Sequence, residues 1–182
     1  MAGLNKRTLQ RIRVPLGFLF AVIFIVFSRP TPLTLVIGGV VAFLGLAIRA
    51  WASGHIQKAK ALAISGPYAY TRNPLYLGSF ILGVGFTIAA GVWWLALLFI
   101  ALYLGIYLPV MRVEEEDISH IFGTDYDGYR REVPLFVPRL TVWKNTGTRF
   151  DPGLYWRYRE YRAALGVLMA LVVLAAKAWY FG

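Results

Sequence analysis

Residues 75–111 read LYLGSFILGVGFTIAAGVWWLALLFIALYLGIYLPVM, and none of them carries a charge. As one straight helix at 1.5 Å per residue, this run would be about 55 Å long. The hydrocarbon core of a bilayer is about 30 Å thick, and a helix crosses it in about 20 residues. The run therefore has to fold back on itself, and Gly91 is the natural turn. The result is a hairpin of two spans, 74–90 and 92–110.

Directly ahead of the hairpin stands Gly66-Pro67-Tyr68-Ala69-Tyr70-Thr71-Arg72-Asn73-Pro74. Gly66-Pro67 is a turn signal. Asn73-Pro74 reads as a helix start, with Asn as N-cap and Pro at the first helical position. The free N–H groups of that first turn would face a loop carrying Tyr68, Tyr70 and Arg72. A helix N-terminus suits a carboxylate or phosphate. Tyr and Arg also collect at membrane surfaces, so a plain interfacial turn is the competing reading.

Further apolar runs lie at 14–27, 33–52 and 163–180, which predicts an all-α protein of about five spans in a single 182-residue domain. The first run follows Lys6, Arg7, Arg11 and Arg13 and resembles a signal peptide. No small-residue cleavage site follows it, so it reads as a retained span. In the second, Gly38, Gly39, Ala42 and Gly45 form a small-residue face that admits a close neighbour. Arg49 near its end reads as an interfacial anchor, and Lys177 reads as a snorkelling one. Residues 112–162 are polar, starting as a helix and continuing as turns around Gly123, Gly128, Pro134, Pro138 and Pro152.

The chain has no cysteine, which excludes disulfides, thiolate nucleophiles and Cys-based metal sites. His55 and His120 are far apart and outside any H-x-x-x-H pattern, so no metal is expected. The net charge of +10 points to a membrane surface rather than nucleic acid, because of how it is distributed. With the N-terminus inside, 17 of the 19 Lys and Arg fall in inner segments and only Arg29 and Lys177 lie outside. The positive-inside rule then places the Gly66–Gly78 loop and the whole of residues 112–162, and with them the cofactor segments 53–78 and 112–138, together on the cytoplasmic side, the inner membrane in a bacterium. No span carries a central ionisable residue, which argues against a transporter.

Span four is followed by Val113-Glu114-Glu115-Glu116-Asp117-Ile118-Ser119-His120-Ile121-Phe122. At about 100° per residue, Ile118, Ile121 and Phe122 define an apolar face. Glu114 falls near its middle and Glu115 at its edge. Glu116 is opposite, within i±4 reach of Arg112 and His120. A carboxylate on a buried face is costly unless paired, which singles out Glu114. Glu116 and Asp117 fit an acidic first turn complementing the helix dipole. His120 reads as a solvated surface residue.

Taken together, the two segments resemble the isoprenylcysteine carboxyl methyltransferase and phospholipid methyltransferase families of integral membrane enzymes. That family pairs an Arg-His-Pro-x-Tyr-x-Gly motif with a Glu-Glu motif. Here the first appears as Gly66-Pro67-Tyr68 and Arg72-Asn73-Pro74-Leu75-Tyr76-Leu77-Gly78. The second appears as Glu114-Glu115, Ile118, Phe122-Gly123, Tyr126, Tyr129, Val133-Pro134 and Pro138. The match covers roughly residues 53–138. The resemblance implies S-adenosyl-L-methionine as cofactor, contacted by Tyr68, Asn73, Pro74, Tyr76 and Glu114. It departs at Asn73, where better-characterised members carry His; Asn keeps a hydrogen-bonding tip but no charge.

The residue chemistry is compatible with that cofactor. The N-terminus at Pro74 suits its carboxylate, and Glu114 suits its ammonium or its ribose diol. The rings of Tyr68 and Tyr76 suit its sulfonium. Methyl transfer is a displacement in which alignment contributes most. A carboxylate acceptor needs no general base, whereas an amine or thiol does. Glu115 and His55 are the candidate bases near the motifs, and Arg72 and Arg112 are candidate contacts to the acceptor. The expected acceptor is a membrane lipid or another apolar small molecule entering from the bilayer. A non-catalytic membrane scaffold or lipid-binding protein on the same fold is the alternative. No Gly-x-Gly loop follows a strand pattern, so a soluble Rossmann-type methyltransferase is not supported.

Topology reporters check the orientation. Fusions at Lys58 and Arg139 are expected to report the inside and one at Gly182 the outside. An inside signal at Gly182 would mean that 163–180 is re-entrant or lies on the surface.

Overall fold

A computed structural model describes residues 6–56, 61–144 and 147–181. Lys58, Lys60 and Gly182, which enter the orientation argument, lie outside the described residues. The fold is all-helical, with no strand among the described residues. The described residues form seven α-helices in order: α1 Lys6–Phe27, α2 Pro32–Ser53, α3 Pro74–Ala89, α4 Trp93–Phe122, α5 Thr124–Glu132, α6 Pro152–Arg157 and α7 Tyr161–Phe181. A 3-10 turn, Gly66–Ala69, precedes α3.

Helices α2 and α3 run antiparallel in backbone contact, and the sequence shows why. Positions 38, 42, 45 and 49 of α2 face positions 89, 85, 82 and 78 of α3, each at helical i+3/i+4 spacing. A methyl group added at Gly38 would stand 2.4 Å from the Ala89 nitrogen, and one at Gly85 would stand 2.4 Å from the Ala42 nitrogen. Even the methyl group of Ala at Gly38, Gly45 or Gly85 would push the helices apart. Gly39, expected on the same face, instead lies beside Leu171 of α7.

The hairpin turns at Gly91 as expected, with φ +69°. The Arg29 amide donates to Ala90 O at 2.7 Å, and Thr34 Oγ1 donates to Ala89 O at 3.2 Å, so the α1–α2 turn is stitched to the α3–α4 turn. Beneath it, Phe24, Ala89, Ala90, Leu95 and Leu174 form a buried core that draws on α1, α3, α4 and α7.

Two cations depart from expectation. Lys177 does not simply snorkel: its Nζ donates to Ile25 O, Val26 O and Ser28 Oγ at 2.5–3.3 Å and caps the C-terminal end of α1. Arg49 is no surface anchor. Its guanidinium grips the Glu160 carboxylate at 2.8–3.1 Å and also donates to Ser79 Oγ at 2.5 Å, tying α2 to α3 and to the start of α7.

Among the described residues, three helices are long and apolar enough to cross a membrane: Pro32–Ser53, Trp93–Phe122 and Tyr161–Tyr180. Pro15–Phe27 and Pro74–Ala89 are apolar but shorter. The acidic helix expected after span four is not a separate element. It is the end of α4, whose 30 residues extend about 45 Å and overhang a 30 Å core. Gly123 makes the α4–α5 turn at φ +52°, whereas Gly128, expected in a turn, lies within α5.

Overpacking costs about 1–3 kcal/mol, and more where backbones must separate. Gly38→Val and Gly85→Val are therefore expected to lower the unfolding temperature in detergent by several degrees or to prevent folding. Gly105→Ala, which meets no neighbour within 4 Å, is the control and should be neutral or stabilising.

Candidate functional site

The overhang of α4 stands above the start of α3, and the two motifs meet there around a cavity of about 350 Å³. Its walls bring Tyr68, Arg72 and Asn73 from the first motif together with Glu114, Glu115 and Asp117 from α4. Tyr126 and Tyr129 of α5 complete the polar part. Leu62, Met111, Ile118 and Phe122 supply an apolar side.

The two carboxylates of the Glu-Glu pair have different surroundings. Glu115 is buried and ion-paired with Arg72 Nη1, and Arg130 Nε lies 3.2 Å from the same oxygen. Glu114 is half-buried on the cavity and accepts from the Tyr76 hydroxyl at 2.9 Å. This reverses the expectation that Glu114 points most deeply inward. Ile121, which the 100° spacing sets on the apolar face with Ile118 and Phe122, is 59% exposed. The buried stripe instead runs through Met111 and Glu115, one turn apart. Glu116 is exposed, as its spacing indicates.

Arg72 is nine-tenths buried at its side chain. Its Nη1 also donates to Tyr126 Oη at 3.3 Å, while its Nε is buried with no hydrogen-bond partner. Burial, and next the nearby Tyr126, Arg130 and Tyr129, act on the guanidinium, with a net pull below its ordinary value. An arginine starts so high that it remains a cation. Burial pushes the Tyr68, Tyr126 and Tyr129 hydroxyls up, which keeps them protonated. Tyr129 uses its proton on Tyr68 O at 2.7 Å, fixing the 3-10 turn against α5.

Asn73 occupies the N-cap position of α3, but its side chain makes no cap hydrogen bond. Its Nδ2 donates to Leu135 O at 3.0 Å instead. The carbonyl of a neighbouring segment thus competes successfully for the amide. The same segment is laced to the motif by Arg72 N to Pro134 O, Thr71 Oγ1 to Phe136 O and Arg139 N to Tyr70 O, all at 2.9 Å. Residues 134–143 therefore back the site, a role the sequence did not reveal. Pro134 and Pro138, rigid turn residues at the end of the second motif, were the signal the sequence held.

The remaining candidates lie off the cavity wall. His55 is buried, but its Nδ1 is hydrogen-bonded to Trp51 O at 2.9 Å, and its ring lies between Gly66 and Phe150. A carbonyl can only accept, so Nδ1 carries the proton and Nε2 is the basic nitrogen, but His55 does not line the cavity. Pro74 is buried as the first residue of α3, and Arg112 is exposed. Tyr76 reaches the cavity through Glu114. The described residues hold no group of three or more His, Cys, Asp or Glu suited to a metal.

Residues 33–125 match the phospholipid methyltransferase family. The nickel-cobalt-cadmium resistance protein NccN of Alcaligenes xylosoxydans xylosoxydans is 34% identical over 104 residues, covering 55% of this chain and 47% of that protein. The cobalt-zinc-cadmium resistance protein CzcN of Cupriavidus metallidurans is 31% identical over 156 residues, covering 79% of this chain and 71% of that one. The protein-S-isoprenylcysteine O-methyltransferase of Schizosaccharomyces pombe is 32% identical over 84 residues, 46% of this chain and 36% of that enzyme. The chain thus spans about half the length of the first relative and about a third of the last. No solved structure matches the chain.

Breaking a buried ion pair from one side costs about 3–5 kcal/mol, because the other charge is left uncompensated. Glu115→Gln is expected to destabilise the protein by about that amount, reduced where Arg72 finds water. Glu116→Gln should change stability by no more than about 0.5 kcal/mol. Chemical unfolding of both variants in one detergent checks the contrast.

Proposed function

The chain belongs to the phospholipid methyltransferase family of membrane proteins, and on that premise we propose that it transfers a methyl group from S-adenosyl-L-methionine to an apolar or lipid-like acceptor. The observation that carries the reading is the single cavity where Arg72 and Asn73 meet Glu114 and Glu115. At about 350 Å³ it is at the small end of the ~300–1,000 Å³ usual for ligand sites.

The residues present fit the cofactor on chemical grounds. The buried, unpartnered Arg72 Nε is a donor for its carboxylate, and the start of α3 adds a favourable dipole. Glu114, on the cavity wall, suits its ammonium or ribose diol. Tyr68, held protonated by burial, offers a neutral aromatic wall. When bound, the cofactor supplies an electrophilic methyl group. The chain's part is alignment and exclusion of water. Glu115, held by two guanidiniums, positions Arg72 rather than acting as a base. With His55 off the cavity wall, the reading favours an acceptor that attacks without giving a proton to a side chain, such as a carboxylate. The charge asymmetry of the sequence supports a cytoplasmic site.

Isothermal titration with S-adenosyl-L-methionine and its demethylated product tests the proposal. A hydrogen bond to a charged group contributes about 1.5–3 kcal/mol, so Glu114→Gln should weaken binding about ten- to a hundredfold. Glu116→Gln should bind normally. Equal affinities in two folded variants would remove Glu114 from the site, and no binding to the unaltered protein would sink the reading.

A further inference from the structure

The segment that backs the cavity also has an outer face. Val137 is 72% exposed and Leu140 is 98% exposed, and Val142 is exposed as well. Such a density of bare aliphatic side chains is unusual on a surface facing water. The segment is not loose. Its main chain is bonded to Tyr70 and Ala69 through the amides of Arg139 and Trp143, and Pro134 and Pro138 limit its backbone.

Its depth can be read from Phe136. That ring packs edge-on against Phe80, with centroids 5.7 Å apart, and Phe80 also packs against Tyr103 and Phe99 of α4. Phe80 lies six residues into α3, about 9 Å below its start. Phe136 thus reaches down into the groove between two apolar helices. No acid occurs in residues 133–150, where Arg139, Lys144 and Arg149 supply three positive charges. Lys144 sits over the Trp143 ring at 4.4 Å, a pairing of the kind found at the headgroup level of membranes.

We propose that residues 135–142 form a shallow membrane-inserted loop on the cavity side of the bilayer. The Val137, Leu140 and Val142 side chains lie among acyl chains, and Arg139 and Lys144 lie at the headgroups. The apolar side chains with flanking cations are the chemistry of an interfacial segment, which buries its apolar face about 5–10 Å deep. Because Leu135 O and Pro134 O are bonded to Asn73 and Arg72, the loop joins the lipid surface directly to the wall of the site.

The absence of native cysteine makes the test clean. Single substitutions Val137→Cys, Leu140→Cys, Asp127→Cys and Leu97→Cys are labelled with a nitroxide. They are reconstituted in vesicles of phosphatidylcholine and phosphatidylglycerol, and read by their accessibility to oxygen and to a water-soluble relaxant. Asp127 is the exposed aqueous reference, and Leu97 is the exposed reference on the apolar part of α4. Labels at Val137 and Leu140 are expected to shift from the Asp127 value to the oxygen-rich, relaxant-poor value at Leu97. Aqueous values at both positions would overturn the proposal. So would protection from both agents, which would mean that a second chain covers the face. The readout needs no cofactor, so it stands or falls apart from the methyl-transfer reading.

Discussion

The backbone contact between α2 and α3 is the constraint on which the rest depends. Inside a bilayer the lipid tails are as apolar as the side chains, so helices associate through close packing and polar contacts rather than hydrophobic exclusion. Gly38, Ala42 and Gly45 set against Ala89, Gly85 and Leu82 provide that packing. The register carries through to Gly78, where the Arg49 side chain crosses α3 and reaches Ser79 and Glu160. Shifting the seam by one turn, about 5.4 Å, would take Arg49 away from both partners.

The site follows from a mismatch of lengths. Helix α3 has 16 residues and α4 has 30, and both leave the turn at Gly91. At 1.5 Å per residue, α4 outruns its partner by about 20 Å. Its acidic end therefore rises past Pro74, and the loop ahead of α3 has to fold against it. Arg72 and Tyr76, four residues apart, then engage the two neighbouring glutamates separately. A carboxylate buried at such a place needs a cation, and Arg72 and Arg130 both serve Glu115.

The helical character and the fold-back at Gly91 were legible because lack of charge and helix length are properties of a single run of sequence. The pairing of the two motifs was legible from their residues. The facing of Glu114 and Glu115 was not, because an exposed Ile121 looks the same in sequence as a buried one. In a membrane protein apolar residues also face lipid, so apolar periodicity loses its power to mark the interior. The tasks of Arg49, Lys177 and Asn73 were hidden for a different reason. Lys177 and Asn73 bond main-chain carbonyls, which every residue possesses and none advertises. Arg49 bonds a carboxylate 111 positions away.

That separation bears on biogenesis. A ribosome adds about 5–20 residues per second, so Arg49 is made roughly 6–22 s before Glu160 exists to receive it. Ser79 and Leu75 O arrive much earlier, only 30 and 26 positions on. The α2–α3 pair can thus settle with a provisional partner for its guanidinium, and α7 is fastened last. The Arg49–Glu160 contact is then the closing latch of assembly, and a chain interrupted before Glu160 would leave the insertion machinery holding a bundle whose Arg49 has hydrogen-bond partners but no counter-charge.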